Sequence, residues 1–121
     1  AGRDDFYVFG NGNVQNRNNS YGGISDEKVK KNIVDATPKL SDLMKVKIRN
    51  YNLIGDSNKQ IGVVAQELEQ VFPAMIETND EGIKGVKYSV FVPMLIKAIQ
   101  EQQAIITTLT ERITALEGAQ A

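Results

Sequence analysis

The sequence predicts an α+β fold: a short N-terminal β segment, a small mixed α/β middle, and a long C-terminal helix that forms a trimeric coiled coil. Three observations predict it. Residues 1–24 are dense in Gly and Asn around brief apolar bursts, residues 37–87 alternate strand-like and helix-like runs, and residues 88–118 carry apolar side chains at heptad spacing. A chain of 121 residues allows one modest domain, and by size scaling it buries only about two-thirds of its unfolded surface. Burial against copies of itself is therefore expected to complete the core.

The first segment has apolar bursts at Phe6-Tyr7-Val8-Phe9 and at Val14. Asn11-Gly12 between them supplies the positive φ of a tight turn, so short strands joined by that turn are expected. The segment reads either as a flexible leader or as the end of a β-rich fibre or stalk. The chain opens Ala1-Gly2-Arg3, with no initiator Met and no apolar signal region, and so reads as a fragment of something longer. At Ile24/Ser25 the composition changes abruptly to SDEKVKKNIVDA, which sets the expected boundary between residues 1–24 and residues 25–121. Ser25 is placed as a helix N-cap, with Asp26 and Glu27 in a first turn where carboxylates complement the helix dipole. Thr37-Pro38 is expected to cap a second short helix that presents Leu40, Leu43 and Met44 on one face and ends near Lys45.

Residues 45–53 (KVKIRNYNL) alternate as a half-buried strand does, with a slip that predicts a bulge around Asn50. Gly55-Asp56-Ser57-Asn58 is the following turn. Residues 60–72 start as a strand and pass into a helix bearing Val64, Leu68, Val71 and Phe72, stopped by Pro73. Residues 74–87 then form two short strands around Asn79-Asp80-Glu81-Gly82. The segments 50–60 and 74–87 are either hairpins that grip a stalk or ordinary strands of the domain.

From Tyr88 to Gly118 the pattern is one long helix, with Pro93 tolerable in its first turn and Gly118 beyond its last. Val92, Ile99, Ile106 and Ile113 fall at heptad position a, and Leu95, Gln102, Leu109 and Leu116 at d. The regular heptads extend further than so small a domain can cover, so the seam is expected between chains. β-branched residues at a with Leu at d favour two strands by the simplest rule. Against that, Phe91, Ile96, Ala98 and Ile105 widen the apolar face, and residues 112–117 resemble the short Arg-h-x-x-h-Glu pattern of trimeric coiled coils. There Arg112 pairs with Glu117 of a neighbouring helix while its stem covers the seam. A homotrimer is the expectation, with Gln102 a buried polar layer that fixes register.

Composition excludes much chemistry. The chain has no Cys and no His, which removes thiol nucleophiles, disulfides, thiolate or imidazole metal sites and every Ser/His triad. No metal and no cofactor are expected. With 14 basic against 15 acidic residues and no basic cluster, no nucleic-acid partner is expected, and no apolar run is long enough to predict a membrane span. A candidate nucleophile must be a hydroxyl activated by an amine or carboxylate. Ser25, with Lys28, Lys30 and Lys31 close behind it, is such a group, provided that burial or neighbouring positive charge lets a lysine act as base. In a regular helix Lys28 would face Ser25 better than Lys30. The competing reading is a plain helix cap with a solvated face.

The run Ser25-Asp26-Glu27-Lys28-Val29-Lys30-Lys31-Asn32-Ile33 resembles the opening of the phage intramolecular chaperone domain, the self-cleaving C-terminal domain of endosialidase tailspikes and other tail fibres (peptidase family S74), roughly Ser-Asp-x-Arg-x-Lys-x-Asn-Ile. The resemblance continues through residues 60–69, Phe72-Pro73, residues 85–88 and residues 92–101, in order, and the Asn-rich stretch up to Ile24 is similar to the stalk that precedes such domains.

This resemblance implies a trimerising chaperone that assists folding of the β-rich tail fibre or tailspike ahead of it on the same polypeptide, then cuts itself off between Ile24 and Ser25. It implies a single-turnover serine endopeptidase with Ser25 as nucleophile and Lys30 as general base. Lys28 stands where the family has Arg, keeping the charge but not the planar fork. The attack is either an N-to-O acyl shift at Ser25 or an attack from a neighbouring chain. The place implied is the host cytoplasm during virion assembly, with the fibre joining the virion tail and the chaperone domain released. Two rival readings are a permanent, non-cleaving trimerisation module at a fibre tip and an unrelated coiled-coil adaptor.

Overall fold

The structure, a computed structural model, describes residues 5–120, so the opening Ala1-Gly2-Arg3 lies outside the described residues. Contacts divide the chain into two units, Ala1–Asp35 and Ala36–Ala121, and the composition boundary at Ile24/Ser25 falls within the first.

In the first unit, β1 (Phe6–Val8) pairs antiparallel with β2 (Val14–Asn16), Phe6 opposite Asn16 and Val8 opposite Val14. Gly12 at φ +91° makes the turn as its sequence predicts, and the Asn13 N–H donates to Asn11 Oδ1 at 3.0 Å. The hairpin buries little: Val8 is 69% exposed, although the Tyr7 and Phe9 rings stack at 5.8 Å. The helix expected from Ser25 is only a single 3-10 turn, Glu27–Val29, and its N-cap is Asp26 rather than Ser25. Asp26 wins that place because its carboxylate reaches the Lys28 N–H at 2.9 Å, leaving Ser25 outside the turn.

The second unit is built around a small apolar cluster. α1 (Leu40–Leu43) is followed by the hairpin β3 (Arg49–Asn52) and β4 (Lys59–Gly62), then α2 (Ala65–Glu69), a 3-10 turn Pro73–Met75, the hairpin β5 (Ile76–Thr78) and β6 (Lys84–Val86), a 3-10 turn Tyr88–Val90, and α3 (Phe91–Ala119). Val63, Leu68, Phe72 and Met75 form the buried core, with Leu43, Val46, Phe91 and Met94 packed against it. Leu68, Val71 and Phe72 face inward as their helical spacing predicts, whereas Val64 is exposed and Val63 is buried in its place, because the backbone at Val64 is still extended. Among these, Leu68 is 2% exposed.

Several boundaries differ from the sequence expectation. α1 is capped at Lys39, not by Thr37-Pro38, because Glu101 of α3 accepts from the Lys39 and Leu40 N–H groups at 2.8 and 3.1 Å. A carboxylate from far along the chain thus satisfies donors that a local cap would otherwise hold. β3 is shorter than the predicted strand and carries no bulge: its register with β4 runs unbroken from Arg49↔Gly62 to Asn52↔Lys59. The ladder is only as long as β4, and Val46 turns from it to the core. α2 stops at Glu69, though the Phe72 N–H still donates to the Leu68 carbonyl at 2.8 Å. Pro73 opens a further 3-10 turn, for which its fixed φ is suited. The turn at Gly82 (φ +81°) and the strands beside it stand where the sequence places them.

α3 runs for 29 residues. Pro93 lies in its first turn, where the missing N–H has no helical partner to lose. Gly118 sits inside the last turn rather than beyond it, and Gln120 is the C-cap. Tyr88, just ahead of α3, ties the helix to the β3–β4 hairpin: its hydroxyl accepts from the Val63 N–H at 3.2 Å. A Cβ on Gly62 would stand 2.7 Å from that hydroxyl and 3.1 Å from the Tyr51 hydroxyl, so glycine is what lets both rings close over the strand.

Candidate functional site

The candidate site is a short loop in the first unit. After Ser25 the chain enters the Asp26-capped turn, in which the Val29 N–H donates to the Asp26 carbonyl and the Lys30 N–H to the Glu27 carbonyl, each at 3.1 Å. At Lys30 the backbone becomes extended (φ −117°, ψ 150°), which sends its side chain away from the helical direction and back toward the start of the loop. Lys30 Nζ donates to Ser25 Oγ across 2.5 Å. A regular helix would have brought Lys28 to Ser25 instead. A single turn followed by extended backbone brings up Lys30, the residue that the family resemblance assigns.

Ser25, Lys30 and Ile24 are all exposed in the single chain. So are the apolar neighbours: Ile24 is 89%, Ile33 70% and Val34 84% exposed. Two residues past Lys30, Asn32 takes a left-handed conformation (φ 56°), a region that asparagine enters more readily than other side-chain-bearing residues. Among the described residues, no group of three or more acidic, His or Cys side chains is arranged to hold a metal.

The second set of predicted functional residues lies on α3 in the other unit. Val92, Leu95, Ile99, Ile106, Leu109, Ile113 and Leu116 are all exposed, Ile99 at 63% and Ile113 at 55%. Gln102 lies among them and is exposed as well. Ala98 is the buried residue of α3. Arg112 and Glu117 are five residues apart on this helix, a spacing that does not place them side by side on one helix. Among the described residues no helix is long and apolar enough to cross a membrane.

Elsewhere in the second unit a charge cluster joins β3 to α2. Arg49 donates to Glu67 through Nε (3.0 Å) and Nη2 (2.7 Å), and Lys47 Nζ lies 3.9 Å from the same carboxylate. The Arg49 hydrogen bonds hold the Glu67 carboxyl below its ordinary range. The cluster is structural in this fold, and sequence alternation gave no sign of it.

No curated protein matches the chain. Residues 25–77, however, match the family model described as chaperone of endosialidase, Peptidase_S74, the same family that the motifs from Ser25 onward resemble.

Proposed function

We propose that this chain is a C-terminal intramolecular chaperone that trimerises through α3, brings the β-rich phage tail fibre or tailspike ahead of it into register, and then releases itself by cutting between Ile24 and Ser25. The observation that carries this reading is the 2.5 Å approach of Lys30 Nζ to Ser25 Oγ. That distance is what proton transfer from a nucleophilic hydroxyl to a neutral amine requires. The family match, which opens at Ser25 itself, supports the same reading.

In the proposed reaction Ser25 Oγ gives its proton to the neutral Lys30 amine and attacks the Ile24 carbonyl carbon. The carbon–nitrogen bond breaks as Lys30 returns the proton to the leaving Ser25 nitrogen. An ester to the serine oxygen remains, and water hydrolyses it to an Ile24 carboxylate and a free hydroxyl. The same bonds form and break whether the oxygen belongs to the same chain or to a neighbouring copy. Each chain carries one such bond, so each cuts once.

Assembly is proposed to gate the cut. A lysine loses its proton readily only when buried or crowded by positive charge, whereas Lys30 is exposed here among exposed apolar neighbours. A trimer that covers this loop supplies the burial and excludes water, so that cleavage reports correct assembly. Three β-rich chains need register before their non-local pairing stabilises them, and a coiled coil holds them at high local concentration. Release afterwards leaves a fibre that cannot retrace its path, a kinetic form of stability.

The exposure of both Ser25 and Lys30 favours a second reading, a permanent trimerisation module in which the pair never reacts. Intact mass of the freshly folded 121-residue chain, followed over time beside Ser25→Ala and Lys30→Ala, separates the two. Loss of residues 1–24 from the parent alone is expected. A parent that forms trimers yet keeps its full mass puts the permanent module first.

A further inference from the structure

We infer that Asp26 is the positioning residue of the Ser25/Lys30 pair, and that it acts by capping the turn between them rather than by its charge. This inference rests on the reading of Ser25 and Lys30 as the reacting pair. Three hydrogen bonds close the loop: Asp26 Oδ1 accepts from the Lys28 N–H at 2.9 Å, the Asp26 carbonyl from the Val29 N–H at 3.1 Å, and the Glu27 carbonyl from the Lys30 N–H at 3.1 Å. Only the first uses a side chain. The turn Glu27–Val29 is three residues long and buries no side chain, so no packing holds it shut. An isolated turn of this length is unfavourable unless its free N–H groups find partners, and a carboxylate at the cap position provides one. If the turn opens, Ser25 Oγ and Lys30 Nζ separate, because among the described residues only the loop itself and their own 2.5 Å contact hold them together.

The two roles that Asp26 is able to fill are chemically distinct. As a cap it needs only an acceptor oxygen one carbon beyond Cβ, which asparagine supplies equally well and alanine lacks. As a charge partner of Lys30 it needs its negative charge, which asparagine lacks. The cap role therefore predicts that Asp26→Asn keeps the pair together and that Asp26→Ala does not.

The test follows intact mass of the full chain over time for the parent, Asp26→Asn and Asp26→Ala, with sedimentation used to confirm that all three assemble alike. Cleavage within about twofold of the parent in Asp26→Asn, and slower by roughly fivefold to thirtyfold in Asp26→Ala, is the expected result, that range being the typical worth of a helix cap read as a rate. Asp26→Asn as slow as Asp26→Ala, or both as fast as the parent, overturns the inference. If the parent itself does not cleave, the proteolytic reading fails and the positioning claim is decided separately by nuclear Overhauser contacts between the Ser25 β-protons and the Lys30 ε-protons. Contacts present in the parent and Asp26→Asn but absent in Asp26→Ala uphold it, and contacts present in all three overturn it.

Discussion

The face of α3 that bears Phe91 and Met94 and the seam that runs from Val92 to Leu116 share one helix but meet different surroundings. Phe91 and Met94 pack against the chain's own core of Val63, Leu68, Phe72 and Met75, and Ala98 is buried. Ile105, Ile106, Leu109, Ile113 and Leu116 carry the same type of side chain and remain half or more exposed. Burying such a side chain is worth about 1.5–3 kcal/mol, so the seam forgoes about half of that stabilisation as long as it stands alone. One apolar face of α3 closes within a single chain, and the other is proposed to close only between copies.

Charging the outer seam is expected to have the largest effect. Ile106→Asp with Ile113→Asp is expected to turn a trimer into a monomer by analytical ultracentrifugation while leaving the nuclear magnetic resonance signals around Leu68 and Met75 in place. Loss of those core signals would mean that the two faces are not independent. Next in size is damage to the inner core: Leu68→Ala, at a position 2% exposed, is expected to cost about 2–5 kcal/mol in denaturant unfolding. A smaller effect is expected at the strap between α1 and α3. Removing the acceptor with Glu101→Ala strands the Lys39 and Leu40 N–H groups and is expected to cost about 1–3 kcal/mol, whereas Glu101→Gln keeps an acceptor and costs less.

The smallest effect depends on pH. Arg49 lowers the Glu67 pKa in the folded chain, so this pair stabilises the fold above the ordinary glutamate range and its contribution is lost as the pH falls through the lowered value. Parent and Glu67→Gln are therefore expected to differ in unfolding midpoint at neutral pH and to converge in acid. A difference that stays constant across that range would show that the ion pair is not its source.

Much of the fold was legible because its signals are local. Asn11-Gly12 and Asn79–Gly82 announce their turns, and the spacing of Leu68 and Phe72 shows the inward side of α2 and the turn that follows it. What sequence missed depends on partners distant in the chain. Glu101 caps α1 from sixty-two positions away, and β3 ends where β4 ends rather than where its own alternation stops. The candidate site shows both cases. Ser25 and Lys30 are found through motif resemblance, whereas local spacing alone favours Lys28, because it assumes a regular helix where the chain makes a single turn capped by Asp26. The signal for that cap was present, since aspartate caps as well as serine does. Ser25 and Asp26 compete for the same place, and only the geometry decides between them.

In the proposed function, assembly through α3 licenses the cut before Ser25. Its most direct test follows the intact mass of the parent and of Ile106→Asp/Ile113→Asp side by side from the moment of refolding, at equal concentration. The parent is expected to lose residues 1–24 while the seam variant keeps its full mass. A seam variant that remains monomeric and cuts at the parent's rate would contradict it.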